Sequence, residues 1–348
     1  MSNSPKSKLV AGVIAAAALL ALPAAANATL AYTKYTKGMW KTSIYYAQDN
    51  GEGAHRIGIG RDPRISPNGE FVVYEVPSES SNGEMKLYSI ATGKTKTLMT
   101  NWREGFIFAW SPDSTMVATQ RGGFNGPGNL VVVEVESGKL QKIATGYVNG
   151  VSFSPESDEI VYGVSKTENF PLKSDIFRYK LRSKAAPVAL SHDHNAACPL
   201  WGPTGQIVFA RQLGAKQRQY GPKNELYLMN EEGKQVSRLT KTAVSPLAIG
   251  LTPTAWSESG KQLLTEFNGE DMSYAVAVNP TTGAQKALTK NAETGFQGAA
   301  ISADGKTVLG TTGLGFGGNS HPKVVTVPFK GGKQKVLVKE AFEPSWSE

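Results

Sequence analysis

Trp110-Ser111-Pro112-Asp113 is the stretch that decides the fold, because its pattern returns along the whole chain. Related segments are Arg64-Ile65-Ser66-Pro67-Asn68-Gly69, Ser152-Phe153-Ser154-Pro155, Leu200-Trp201-Gly202-Pro203-Thr204-Gly205, Ala255-Trp256-Ser257-Glu258-Ser259-Gly260, Ala300-Ile301-Ser302-Ala303-Asp304-Gly305 and Pro344-Ser345-Trp346-Ser347. Aligned on the serine (Gly202 in the fourth copy), the seven copies lie 45, 43, 48, 55, 45 and 45 residues apart, a mean of about 47. Each is followed by short runs rich in Val, Ile and Tyr, such as Phe71-Val72-Val73-Tyr74 and Lys86-Leu87-Tyr88-Ser89-Ile90, with Thr92-Gly93-Lys94 as punctuation. Period-two runs separated by Gly, Asn and Asp turns, with no helical period, describe antiparallel strands.

Four strands per unit at a period in the forties is the signature of a β-propeller blade. Ser-Pro-Asn-Gly and Ala-Asp-Gly then read as tight turns between the first two strands of a blade. Trp110, Trp201, Trp256 and Trp346 recur at one repeat position, as packing between blades requires. The last copy supplies one strand, and Leu30 to Tyr35, Thr42 to Ala47 and Arg56 to Gly60 supply three before the first copy. The expected fold is all-β: a seven-bladed propeller over residues 29–348, its last blade closed by the C-terminal strand and three N-terminal ones, leaving no open sheet edge at the join.

Composition agrees with a turn-rich globular protein: 348 residues with 40% hydrophobic and 19% charged side chains, 37 Gly and 19 Pro. One cysteine, Cys198, allows neither an internal disulfide nor a thiolate zinc cluster. Lys6 and Lys8 precede an apolar run from Leu9 to Leu22 that ends at Ala26-Asn27-Ala28, so residues 1–28 read as a secretory signal peptide. That run is shorter than the roughly 20 residues that span a bilayer. Export to the periplasm or the exterior is expected, as a monomer without a membrane span. Removing the leader's two lysines lowers the net charge from +8 to +6. This charge is spread over turn lysines, which argues against nucleic acid as a partner.

Trp-Ser-Pro-Asp, together with Leu239-Thr240 after Glu225-Leu226-Tyr227-Leu228-Met229-Asn230, resembles the TolB-like (WD40-like) propeller repeat over nearly all of the mature chain. Similar repeats occur in periplasmic TolB, in dipeptidyl peptidase propellers and in oligogalacturonate lyases, so the resemblance implies a fold rather than an activity. The chain departs from TolB itself in two ways. It has no residues for a separate N-terminal α/β domain, and it counts seven copies where that family has six blades.

The first-to-second and third-to-fourth strand turns are short, so the expected binding face is the opposite one. It carries the loops at residues 36–40, 77–84, 122–128, 165–173, 212–224 and 313–322. Aromatic and cationic residues alternate there: Trp40, Trp102, Arg103, Arg121, Phe124 and Phe170, then Arg211, Lys216, Arg218, Tyr220 and Lys223. Aromatic faces would stack on sugars or peptide side chains, and the cations would pair with carboxylate or phosphate. Trp102-Arg103, in a blade-to-blade connection, is the leading pair. The alternative is that the cations are solvated surface and the aromatics plug the loops onto the blades.

His192, His194 and His321 are the residues for a second reading, a divalent metal held by imidazoles. The resemblance to oligogalacturonate lyases would make that a metal-dependent lyase of acidic oligosaccharides, although the full ligand set of that family has no counterpart here. Other enzyme signals are missing: there is no Gly-x-Ser-x-Gly elbow, and Gly313-Leu314-Gly315-Phe316-Gly317-Gly318 precedes no helix. Cys198 has no basic neighbour and reads as packing. The expected function is therefore non-enzymatic and cofactor-free: recognition of an exported protein, a peptide or a cell-envelope glycan on the long-loop face.

Overall fold

The computed structural model describes residues 29–36, 41–78, 83–102, 107–122, 126–167, 173–214, 223–242, 248–269, 273–289, 295–314 and 320–347. Among these every regular element is a strand. The strands form five hydrogen-bonded sheets. One places Ala341–Trp346 beside Thr29–Tyr35, followed by Thr42–Gln48 and His55–Ile59. A second runs from Arg61 to Trp102, and a third from Gln297 to Lys339, each with four antiparallel strands in chain order.

The other two sheets are larger than a single repeat, with seven strands between Ile107 and Ala189 and eight between Ala196 and Ala287. In the first, the strand Leu140–Phe153 runs unbroken through a connection between repeats: Leu140–Gly146 pairs backwards with Gly128–Val133, and Tyr147–Phe153 pairs forwards with Ile160–Ser165. In the second, a single parallel register point, Asn224 with Gly250, links two repeats.

The repeated serine is a turn device. Ser111 Oγ accepts the Met116 N–H at 2.9 Å and donates to Asp113 Oδ1 at 2.6 Å, while Asp113 Oδ1 also accepts the Thr115 N–H. Ser66 with Asn68 and Ser302 with Asp304 repeat the arrangement. These bonds hold Asp304 down to about 2, led by the Lys306 N–H. Gly202 stands in place of the serine in the fourth copy, where a Cβ would lie 3.1 Å from both Gln206 O and Cε2 of Trp256. Two of the four recurring tryptophans also tie neighbouring repeats together: Trp110 Nε1 donates to Arg64 O at 2.9 Å, and Trp256 Nε1 to Leu200 O at 3.4 Å.

Among the described residues the core is seven buried apolar clusters, each packed between consecutive repeats. The sheet that unites the two ends of the chain is covered on both faces. Leu30, Tyr32 and Ala47 pack on Leu309 and Val324, and Ala31 and Ile44 pack on Ile65, Val72 and Tyr74. Pairing of Leu30 with Trp346 and Lys34 with Ala341 brackets the contact, and the Ile65 N–H donates to Ser345 Oγ.

Candidate functional site: a cavity between the innermost strands

The first strand of each repeat carries a register shift against its neighbour, between Arg61 and Arg64, Ile107 and Ala109, Val148 and Gly150, Ala197 and Leu200, Pro253 and Ala255, and Gly298 and Ala300; the closing pair shifts between Ala31 and Thr33. These are β-bulges, which bend a strand and redirect its side chains. Asp62, Cys198 and Glu343, each four residues before the turn position, take left-handed φ values of 48°, 51° and 52°. Bulge amides are clasped from the preceding repeat: Asp62 N–H by Glu343 Oε2 at 2.8 Å, Cys198 N–H by Asn149 Oδ1 at 3.2 Å, and Gly298 N–H by the Glu266 carboxylate.

Ahead of the turns, these strands line a cavity of about 660 Å³. Its wall includes Asn149, Pro199, Trp201, Pro253 and Trp256, and its short-turn end includes Pro112, Pro155, Pro203 and Glu258. Proline rings, indole and aliphatic carbon share the surface with the polar side chains of Asn149, Ser152, Thr252, Thr254, Ser257 and Glu258. Such a pocket suits insertion of an apolar or aromatic group held by a small number of directional contacts. Cys198, partly buried, is part of this wall, and burial pushes its thiol up to about 11, which disfavours the reactive thiolate.

The acids behind the bulges are structural. Glu343 also accepts from Thr33 Oγ1 at 2.7 Å, Asp62 pairs with Arg64 at 2.9 Å, and Glu75 accepts from Arg61 Nε at 2.9 Å. Burial pushes Glu266 up to about 8, with the Gly298 N–H opposing. A carboxyl whose folded value lies above its unfolded 4.5 favours the protonated fold, so its contribution is lost as pH rises from about 4.5 to 8. Glu266→Gln is expected to melt higher than the wild type at pH 8.5 and equally at pH 4.5. The gain is bounded by about 1.4 kcal/mol for each pH unit crossed; melting curves that stay parallel across this range would overturn the assignment.

Most of the long-loop candidates, namely Trp40, Arg103, Phe124, Phe170, Lys216, Arg218 and Tyr220, lie outside the described residues, as does the side chain of Trp102, whose backbone ends the strand Thr95–Trp102 opposite Gly83. Arg121 ends its strand, half-buried. Arg211 lies over the rings of Phe209 and Tyr227, 5.6 and 4.7 Å from their centroids, and pairs with Asp193 at 2.6 Å. Lys223 pairs with Glu225 at 3.0 Å and donates to Thr242 O. Arg211 and Lys223 thus both have partners within the fold. His192 and His194 are exposed; His194 Nδ1 contacts Asp175, and His321 Nδ1 lies 3.2 Å from Glu340. Among the described residues no three His, Cys, Asp or Glu side chains gather as metal ligands, so the three histidines do not meet.

No protein-family profile matches the chain, and no curated protein does. Solved structures do. TolB from Acinetobacter baumannii superposes with a TM-score of 0.54 at 13% identity, over 92% of this chain and 83% of that one. The β-propeller domain of the Trilobed protease from Pyrococcus furiosus gives 0.63 at 15%, over 89% and 94%. The fold is that of a β-propeller. An oligogalacturonate lyase from Vibrio parahaemolyticus gives 0.59 at 14%, over 89% and 84%, so proteins of different activity share this architecture. No helix among the described residues is long and apolar enough to cross a membrane.

The sequence analysis missed the cavity because it sought a site on the long loops and assigned Trp201 and Trp256 to packing between blades. The signal available to it was the position four residues before each turn, occupied by Asp62, Ile107, Gly150, Cys198, Pro253, Gly298 and Glu343. Small, polar and proline residues at six of these seven positions, Ile107 excepted, interrupt the apolar alternation that a plain buried strand would keep.

Proposed function

We propose that the chain is an exported, seven-bladed binding propeller that works without catalysis and takes an exported peptide or protein segment into the cavity between its innermost strands. The observation that carries this reading is the cavity wall itself, where Trp201, Trp256 and five prolines offer apolar surface of the kind that receives side chains of an extended segment. Support for seven blades and a closed ring comes from the seven inter-repeat core clusters and from the two-sided packing of the sheet that joins the chain ends. Support for export comes from the basic-then-apolar start of the sequence and its small residues at 26–28. The long-loop face, with Trp102, Arg103 and Arg121, is the proposed second contact at the other end of the innermost strands.

The test is selection of a random peptide display library on the folded protein, followed by titration monitored through intrinsic tryptophan fluorescence. Thr254 lines the cavity, and Thr254→Arg fills part of it with a charged side chain. Selected peptides are expected to bind the wild type and to lose at least about tenfold in affinity to the variant, roughly 1.4 kcal/mol. Equal binding to both proteins, or no enrichment over a scrambled library, removes the cavity as the site.

A further inference from the structure

Among the described residues three buried side-chain oxygens have no hydrogen-bond donor: Asn195 Oδ1, Gln212 Oε1 and Asn224 Oδ1. All three belong to one row across a sheet. The Gln212 N–H donates to Asn195 O at 2.8 Å, and Gln212 stands directly opposite Asn224 in the antiparallel register. Facing residues of antiparallel strands project from the same face with Cβ atoms about 4.5–5.5 Å apart, which brings the three amides within reach of one small ligand. Here that face is the one of Val208 and Leu226, which pack with Leu251 and Leu263. Gln212 and Asn224 are 7% and 6% exposed. Arg211 projects from the opposite face, over Phe209 and Tyr227, so its guanidinium does not serve these oxygens. The row is also a junction of three repeats: Asn195 bridges in parallel to Ser174 of the repeat before, and Asn224 pairs in parallel with Gly250 of the repeat after.

We propose that the row Asn195, Gln212 and Asn224 is a binding site for a single monovalent metal cation, sodium or potassium. A buried amide oxygen left without a donor is costly, and three at one place call for an electropositive occupant. One water has two hydrogens and would serve two of the three oxygens, whereas a cation attracts all of them at once. The donor set is neutral, which selects the charge of the ion. The acids that flank the row in sequence are engaged elsewhere, Asp193 by Arg211 and Glu225 by Lys223 and Arg238. Calcium and magnesium sites recruit carboxylates, while carbonyl dipoles alone suffice to replace the hydration shell of potassium. The site is made of residues that do not line the central cavity, and the proposal does not depend on the reading given above.

The full-length folded protein would be melted in sodium, potassium, calcium and tetramethylammonium chlorides at equal ionic strength. Sodium or potassium is expected to raise the melting temperature by about 2 °C or more over tetramethylammonium, in a saturable manner. The near-isosteric double variant Gln212→Met/Asn224→Leu should lose that increment. In tetramethylammonium chloride it should melt no lower than the wild type, because it removes two orphan oxygens. Sodium NMR on the wild type gives a readout independent of the variant: the folded protein should broaden the sodium line, and urea unfolding should restore it. Equal melting of the wild type in the alkali and tetramethylammonium salts, stabilisation by calcium but by neither alkali ion, or an alkali increment that survives in the double variant would each overturn the proposal. A sodium line unaffected by folded protein that potassium also fails to stabilise would do the same.

Discussion

Removal of residues 341–348 is expected to abolish the cooperative thermal transition of the whole protein, not merely to fray its last blade. The deletion takes away the strand Ala341–Trp346, with buried Ala341 and Phe342, and strips the pairing partner from Thr29–Tyr35, whose Leu30, Ala31 and Tyr32 are at most 1% exposed. It also removes Ser347, which accepts the Thr29 N–H at 2.8 Å and donates its own N–H to Thr29 O, and Glu343, which clasps the Asp62 amide. The exposed edge would offer a row of free N–H and C=O groups to other chains. Burying a single large apolar side chain is worth about 1.5–3 kcal/mol, and domains are stable by only about 5–15 kcal/mol, so losing this strand exhausts most of the margin. Calorimetry would read the outcome as a missing or strongly broadened peak with aggregation. A truncated chain that melted cooperatively near the wild-type temperature would show that the two chain ends do not hold the fold.

That strand was legible in advance because Pro344-Ser345-Trp346-Ser347 keeps the repeat pattern to the end of the chain. The turn chemistry was legible for the same reason: Ser, Asp or Asn, and Gly at fixed offsets leave few alternatives for the backbone. What the sequence did not disclose is how far side chains at separate positions in the chain are committed to each other. Arg211 looked like a free cation in a loop-bearing region, yet its partner Asp193 lies in the preceding connection and its aromatic bed lies in its own sheet. His194 looked like half of a metal motif, yet Asp175, nineteen residues earlier, holds both its ring and its backbone N–H. Those pairings depend on which strands become neighbours, and composition or spacing does not record that.

Replacing Glu225 is expected to be strongly damaging, because this carboxylate is fully buried and has five donors. It accepts from Thr240 Oγ1 at 2.7 Å, from the Thr242 N–H at 2.8 Å and from Thr242 Oγ1, and it pairs with Lys223 at 3.0 Å and Arg238 at 3.2 Å. Burial alone would raise its pKa, but the hydrogen bonds from Thr240, Lys223 and Thr242 and the charge of Lys223 together lower it. The same device recurs one repeat earlier. Asp175 accepts from Ser191 Oγ, Ser191 Oγ accepts the Ile176 N–H, and the Leu190 N–H bonds to Ile176 O, as Thr240 Oγ1 accepts the Leu226 N–H and the Leu239 N–H bonds to Leu226 O. An acid before a Leu or Ile, answered by Leu-Ser or Leu-Thr, is therefore a clamp that replaces a full outer strand where the chain turns away to the next repeat. Leu239-Thr240 is one of the two motifs on which the propeller-repeat resemblance rests, and the clamp gives it a physical reason. Glu225→Ala leaves two cations and several buried donors unpaired, at a cost of about 3–5 kcal/mol at pH 7. Thr240→Val strands the Leu226 N–H and should cost about 1–3 kcal/mol. Because the folded pKa of Glu225 is depressed, its contribution is present above the unfolded value and is lost as pH falls through the folded one. The deficit of Glu225→Ala, followed by urea unfolding, should accordingly shrink between pH 7 and pH 3. A substitution that cost less than about 1 kcal/mol at pH 7, within the range of exposed ion pairs, would show that the clamp is surface decoration.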